Sequence, residues 1–433
     1  MPKVSHASSR CSLQRRSSKR LSWESAVRCC ASAAAGRRLR SSTRSPPIHF
    51  AVPRACARSL AAGLFEAHDR VRFETHAFSF GPDDGSAMRG RVSRAFDRFE
   101  DVRQLTDQQI ATRVRAAGID IAVDLKGHTL GGRPRVFAYR PAPVQVSFLA
   151  YPGTLGSECM DYIVADRQVI PESDRLHYTE QAIYMPGCYQ VNDSARTASP
   201  APVRRTEGLP ESGFVFSCFN SSYKITPPVF DDWMIILRAV PGSVLWLIQG
   251  SSEACENLRR EAMRRGVDPL RLVFAPWRTV EGHLGRCALA DLFLDTFPYN
   301  AHTTASDALW SGVPVLTRPG TTFVSRVATS LLHAVGLEQL SVGSAQEYRG
   351  AAIRIAHSPE ELRCLKDRLV LARTASTLFD SVWYARQLEA AFEEIVARQR
   401  RGEPPSPLAV REVPRSRCAQ SREHGESSTP HAV

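Results

Sequence analysis

Residues 292–316 read LFLDTFPYNAHTTASDALWSGVPVL. The run 292–295 is short, apolar and bounded by turn formers, the signature of a buried strand. Residues 303–311 can wind as a helix, and 313–316 return to an apolar run. A strand, a helix and a second strand in so short a span form a crossover unit, which places the two strands parallel in one sheet.

The same alternation extends upstream. Strands are expected at 214–219, 244–248 and 272–275, with helices at 227–239, 253–265 and 280–290. Earlier in the chain, strands are expected at 73–80, 119–125, 144–150 and 162–165, with helices at 56–68, 85–97 and 106–117. The Pro- and Arg-rich stretch 200–210 reads as the linker between the two halves. The sequence thus predicts an α/β protein of GT-B type, with two Rossmann-like, doubly wound domains facing across a cleft. Ligands in such sheets bind beyond the carboxyl ends of the strands.

The predicted boundaries are a disordered basic extension over 1–48, an N-terminal lobe over 49–205, a nucleotide-sugar lobe over 206–400 and a disordered tail over 401–433. Helices after residue 358 are expected to complete the second lobe. The stretch around SPPIHFAVPRACARS carries no clear strand, so the first lobe is expected to lack its first strand, leaving a gap or an edge.

Composition narrows the function. Of 433 residues, 43% are hydrophobic and 23% charged, which is ordinary for a globular chain. No run approaches the roughly 18 to 20 apolar residues of a membrane span, and no secretory leader is evident, so a cytoplasmic protein is expected. The 11 cysteines are scattered without metal-ligand spacing; no metal site is expected. The net charge is +12, but residues 1–60 hold 13 Lys or Arg against Glu24 alone. The remainder is balanced, which argues against a nucleic-acid-binding body.

Three strand ends carry chemistry. In the opening stretch, Thr303 and Thr304 stand at a helix entrance, where free N–H groups and the helix dipole favour a diphosphate. Asp307, one turn on, can accept from ribose hydroxyls, and His302 offers a flat ring for a base or a donor for a phosphate. The second end is FNSSYK, 219–224, where Lys224 can meet a diphosphate as a compact charge. The third is FAPWR, 274–278, followed by His283; Trp277 or Arg278 can border a nucleobase.

These segments, with GTTFVSRVATSLL and, in the first half, DIAVDLKGHTLGGRPRVFAYRPAPVQVSFLAYPGTLG and MDYIVAD, resemble the catalytic region of the protein O-linked N-acetylglucosaminyltransferases, including SPINDLY-like and bacterial members. The resemblance runs over roughly 60–400. It implies that Lys224 contacts the diphosphate and supports its departure. It also implies that His302, Thr303 and Thr304 form the stacking and phosphate-binding run, that Asp307 holds the ribose and that His283 lies beside the nucleotide. Tyr223 and Arg278 fall near the phosphates and the uracil. Arg133 and Tyr151, Pro152, Gly153 and Thr154 belong to segments that border the sugar and acceptor.

The implied activity is inverting transfer of N-acetylglucosamine from UDP-GlcNAc to Ser or Thr hydroxyls of a protein, with no cofactor and no metal. Its partners are a UDP-sugar donor and a protein or peptide acceptor. The alternatives are a protein O-fucosyltransferase using GDP-fucose, a UDP-sugar epimerase on the same two-lobed fold, and an inactive nucleotide-sugar-binding relative. The family's tetratricopeptide array, a repeat of about 34 residues, is not found in this sequence, and Ser221 stands where animal members carry glutamine.

Overall fold

The computed structural model describes residues 48–52 and 55–415, with side chains described from Leu60 onward. In chain order the first half forms β1 (Ile48–Val52), α1 (Ala55–Ala67), β2 (Thr75–Ser79), α2 (Ala87–Arg94), β3 (Arg98–Asp101), α3 (Asp107–Ala116), β4 (Ile121–Asp124), α4 (Arg135–Ala138), β5 (Val144–Ser147), β6 (Tyr162–Ala165) and β7 (Gln181–Tyr184). The second half forms β8 (Val215–Cys218), α5 (Pro227–Ala239), β9 (Val244–Ile248), α6 (Ser252–Arg264), β10 (Leu272–Ala275), α7 (Val280–Cys287), β11 (Leu292–Leu294), α8 (Thr303–Trp310) and β12 (Val315–Leu316). It continues through α9 (Val327–Ala334), α10 (Ala345–His357) and α11 (Pro359–Ala375) to α12 (Ser381–Arg400) and β13 (Leu408–Ala409).

The strands make two parallel sheets, in the orders β13-β7-β6-β5-β4-β1-β2-β3 and β10-β9-β8-β11-β12. In the second sheet β8 is central, and the order reverses there: the chain runs outward to β10, then crosses to β11 on the other side. Such a reversal opens a crevice at the strand ends. The segments after β8 and β11 flank it, and these are the two motif-bearing runs 219–224 and 295–304.

The first strand is present, against expectation. Residues 48–52 pair with β2 from Ile48↔Thr75 to Val52↔Ser79 and with β4 from Ile48↔Ile121 to Ala51↔Asp124. The three prolines and the arginines around the run hid its β-rich core of IHFAV. Sequence reading also missed β3, an edge strand of RFED whose residues are all at least partly exposed. Charge on an edge strand blocks unwanted pairing, and it removes the apolar signal too.

The C-terminal helix differs as well. Of the helices after residue 358, which were expected to complete the second lobe, α11 does so and α12 does not. Its Trp383, Leu388, Phe392 and Ile395 share one buried cluster with Leu64, Phe65 and Phe73 of the first lobe. Glu389 anchors it: its fully buried carboxylate accepts from His68 Nδ1 at 3.1 Å, the Asp69 N–H at 2.9 Å and Arg386 at 2.6 Å. A buried charge needs such partners. Residues 401–415, expected to be unstructured, continue on the first lobe; β13 pairs with β7, and the Gln387 amide brackets the Val413 backbone at 2.9 and 2.8 Å. The expectations for 1–47 and 416–433 fall outside the described residues.

The chain passes between lobes at residues 190–200, not as a loose linker. The Ser199 N–H donates to the Glu281 carbonyl at 2.9 Å. A Cβ at Gly285 would lie 2.3 Å from the Ser199 carbonyl oxygen, so only glycine lets α7 approach this closely. No described helix is long and apolar enough to cross a membrane.

Candidate active site

The loop from β11 to α8 is held from below by Asp295. This buried carboxylate accepts from the backbone N–H of Thr296 at 2.7 Å and Ala301 at 2.6 Å, and from Thr317 Oγ1 at 2.6 Å. Burial raises its pKa to about 7. Thr296 Oγ1 closes a turn onto the Tyr299 carbonyl at 2.6 Å, and Asn300 Nδ2 donates to the Thr296 carbonyl at 2.9 Å. Loop polarity is consumed inside the loop, which fixes the entrance of α8.

His302 occupies the N-cap of α8 and makes no side-chain capping bond. The first N–H groups of the helix therefore stay available to an anion. Across from them, Asn220 at the end of β8 donates to Thr296 Oγ1 at 2.8 Å and accepts from the Thr304 hydroxyl. This ties the two strand ends together.

Lys224 reaches into the same space. Its ammonium donates to the Asn300 carbonyl at 2.8 Å and sits 3.9 Å from the centre of the Tyr299 ring. Among the described residues no carboxylate forms an ion pair with it. Burial lowers its pKa to about 8, with the Asp295 charge acting in opposition. The site thus holds a partly desolvated cation whose contacts are a carbonyl and an aromatic face, neither of which neutralises it.

Lys224, Tyr299, Asn220 and the entrance of α8 line one cavity of about 520 Å³, together with Leu60 of the first lobe. All eight residues singled out in the second half line it: Tyr223, Lys224, Arg278, His283, His302, Thr303, Thr304 and Asp307. Several are placed differently from their sequence-level roles. The His302 ring stacks on Tyr299 at 5.3 Å and its Nε2 donates to the Val324 carbonyl at 3.2 Å, so that N–H is not free for a phosphate. Burial, then Lys224, push its pKa down to about 3, leaving it neutral. His283 Nδ1 accepts from Arg286 at 3.2 and 3.3 Å, and burial lowers its pKa to about 4. The Thr304 hydroxyl is spent on Asn220, leaving its backbone N–H and that of Thr303 as the anion-facing groups. Arg278 pairs with Glu207 at 2.5 Å, and Tyr223 and Trp277 stand exposed at the rim. Asp307 pairs with Arg196 at 2.8 Å, and burial raises its pKa to about 6.

The first-lobe candidates lie elsewhere and do not line this cavity. Arg133 is bound to Asp107 at 2.6 Å and to the Leu105 carbonyl at 2.8 Å. Thr154 Oγ1 donates to the buried Glu180 at 2.6 Å, and Pro152 and Gly153 shape the turn between Tyr151 and Thr154. Tyr151, edge-on to His128 at 5.1 Å, is the member that faces the second lobe; with Tyr223 it adds to burial in raising the pKa of the Tyr299 phenol.

Sequence reasoning missed Asn220, Tyr299 and Asn300, although all three stood inside the quoted motifs. Arg286 and Arg196 were also missed; Arg196 lies in the passage between lobes and carries no local signal. Among the described residues no group of His, Cys, Asp and Glu is arranged to hold a metal ion.

The profile of glycosyl transferase family 41 matches residues 56–199 and 198–388. The probable UDP-N-acetylglucosamine–peptide N-acetylglucosaminyltransferase SEC of Arabidopsis thaliana is 35% identical over 77% of this chain and 35% of its own length. The UDP-N-acetylglucosamine–peptide N-acetylglucosaminyltransferase of Caenorhabditis elegans is 28% identical over 78% of this chain and 39% of its own. The chain therefore spans little more than a third of the length of these curated relatives. A mutant of the Thermobaculum terrenum O-GlcNAc transferase superposes with a TM-score of 0.77 at 31% identity, covering 83% of this chain and 69% of that one. The fold is the GT-B arrangement expected from the sequence. Anabaena HepE in complex with UDP and glucose, at 13% identity and a TM-score of 0.54 over 81% of this chain and all of that one, shares the fold alone.

Proposed function

The chain belongs to glycosyl transferase family 41, and on that premise we propose that it transfers N-acetylglucosamine from UDP-GlcNAc to Ser or Thr hydroxyls of a protein, with inversion at the anomeric carbon. The observation that carries the reading is the un-neutralised ammonium of Lys224 beside the uncapped entrance of α8. A cation and a set of free N–H groups on opposite strand ends match the diphosphate of a sugar nucleotide.

In this reading Asp307 takes the ribose, and the base lies toward Trp277, Arg278 and His283. The acceptor hydroxyl attacks C1 of the sugar and passes its proton to solvent water as the bond from C1 to the β-phosphate oxygen breaks. The bonding pair leaves on the diphosphate. Lys224 and the N–H groups of Thr303 and Thr304 stabilise that developing charge, and the reaction calls on no cofactor or metal. The identity of the SEC relative as a probable UDP-N-acetylglucosamine–peptide N-acetylglucosaminyltransferase, and of the C. elegans relative as that enzyme, supports the donor and the peptide acceptor.

The test is transfer of label from UDP-GlcNAc to a protein panel, run beside GDP-fucose and beside Lys224→Met. Label from UDP-GlcNAc alone, lost in the folded variant, is expected. Transfer from GDP-fucose only would replace the donor, and undiminished labelling by Lys224→Met would remove Lys224 from the mechanism.

A further inference from the structure

The passage between lobes grips α8, and its Arg196 lines the same cavity as Asp307. Asn192 accepts from the Ser306 hydroxyl, and Arg196 Nη1 donates to Asp307 Oδ1 at 2.8 Å. The Arg196 side chain is only 4% exposed. Its guanidinium lies 4.9 Å from the centre of the Trp310 ring, which Arg373 also approaches at 4.3 Å, and Nη2 reaches Asn192 Oδ1 at 3.4 Å. Burying arginine is costly where a methionine would fill the same volume, so a role that needs the planar fork is indicated.

That role follows from which oxygen it holds. Asp307 lines the nucleotide cavity, and its Oδ1 is taken by Arg196. This leaves Oδ2 to a ligand and fixes the plane of the carboxylate. Because α8 also presents the phosphate-facing N–H groups, the ribose and diphosphate contacts become parts of one rigid element tied to the interlobe passage.

We propose that Arg196 is a positioning residue for the nucleotide ribose, holding Asp307 so that its second oxygen meets the ribose hydroxyls. The inference rests on the nucleotide-sugar reading of the cavity. It makes ribose discrimination, rather than the transfer step, the property that depends on Arg196.

The full chain is titrated calorimetrically with UDP and with 2′,3′-dideoxy-UDP, and transfer kinetics are measured in parallel. Wild type should prefer UDP about tenfold, the scale of a lost hydroxyl contact to a buried polar group. In Arg196→Met that preference should fall below about twofold, with the donor KM raised about tenfold and kcat within about threefold. Arg196→Lys keeps the charge without the fork and should retain a preference of about threefold; it also decides the matter should the methionine variant not fold. Asp307→Asn should match Arg196→Met, and the double variant should be no worse. An unchanged preference in Arg196→Met, or in Arg196→Lys where that variant decides, overturns the inference while leaving the nucleotide site intact. A wild type that binds both nucleotides equally removes the ribose role of Asp307 and the inference with it. A wild type that binds no UDP sinks the reading of the cavity itself.

Discussion

The two lobes share one sheet architecture yet use the ends of their strands differently. At the strand ends of the second lobe, Lys224 and the first N–H groups of α8 keep charge or hydrogen-bonding capacity open to a cavity. At those of the first lobe, Arg133 and Thr154 are consumed by Asp107 and Glu180. The difference teaches that polar residues at the correct edge of a sheet make a site only where their partners leave capacity unspent. The second lobe is pre-organised for charge, whereas the first offers shape.

The largest expected effect is on the charged side. Lys224→Met should lower the rate of transfer by about 10² to 10³, as measured in single turnovers, with circular dichroism unchanged. A loss under tenfold would break the contrast between the lobes. Next is the pH profile. Since burial lowers the Lys224 pKa to about 8, its ammonium is lost as pH rises through that value, and kcat/KM for free enzyme should fall above it. At the other limb, the pKa of Asp307 raised to about 6 means its carboxylate gains a proton as pH falls through that value, weakening donor binding. Lys224→Arg should flatten the alkaline limb and leave the acid limb in place.

A smaller change is expected at the tie between strand ends. Thr304→Val removes the hydroxyl that Asn220 accepts from, and UDP affinity should drop about tenfold as the β8 and α8 ends lose register. The smallest effects belong to the first lobe. Arg133→Ala and Thr154→Val should each cost about 1 kcal/mol of stability in denaturant unfolding. Neither should change UDP affinity; a nucleotide-binding defect in either would erase the distinction.

The sequence was legible where a physical signal was local. In the second half, 244–248, 272–275 and 227–239 coincide with β9, β10 and α5 because buried parallel strands are nearly unbroken apolar runs and the helices between them are amphipathic. Eight of the cavity residues of that half were legible because each follows a strand. Signals failed where partners are distant. Arg133 looks available in sequence and is paired with Asp107; Arg196 looks like a loop residue and is buried against Asp307. β1 was obscured by neighbouring prolines, and its place is set by two strands far along the chain. The destination of α12 was illegible for the same reason: its apolar stripe shows that it packs, and only the tertiary structure shows against which lobe.

The position of α12 has a consequence for how the protein is made. The first lobe begins the described chain, yet its core lacks Trp383, Leu388 and Phe392 until the second lobe has already been synthesised. The second lobe, contiguous in the chain, has its strands and packing helices available sooner. Order of translation and order of maturation are therefore reversed: the half that emerges second can consolidate first, and the half that emerges first waits for the closing helix.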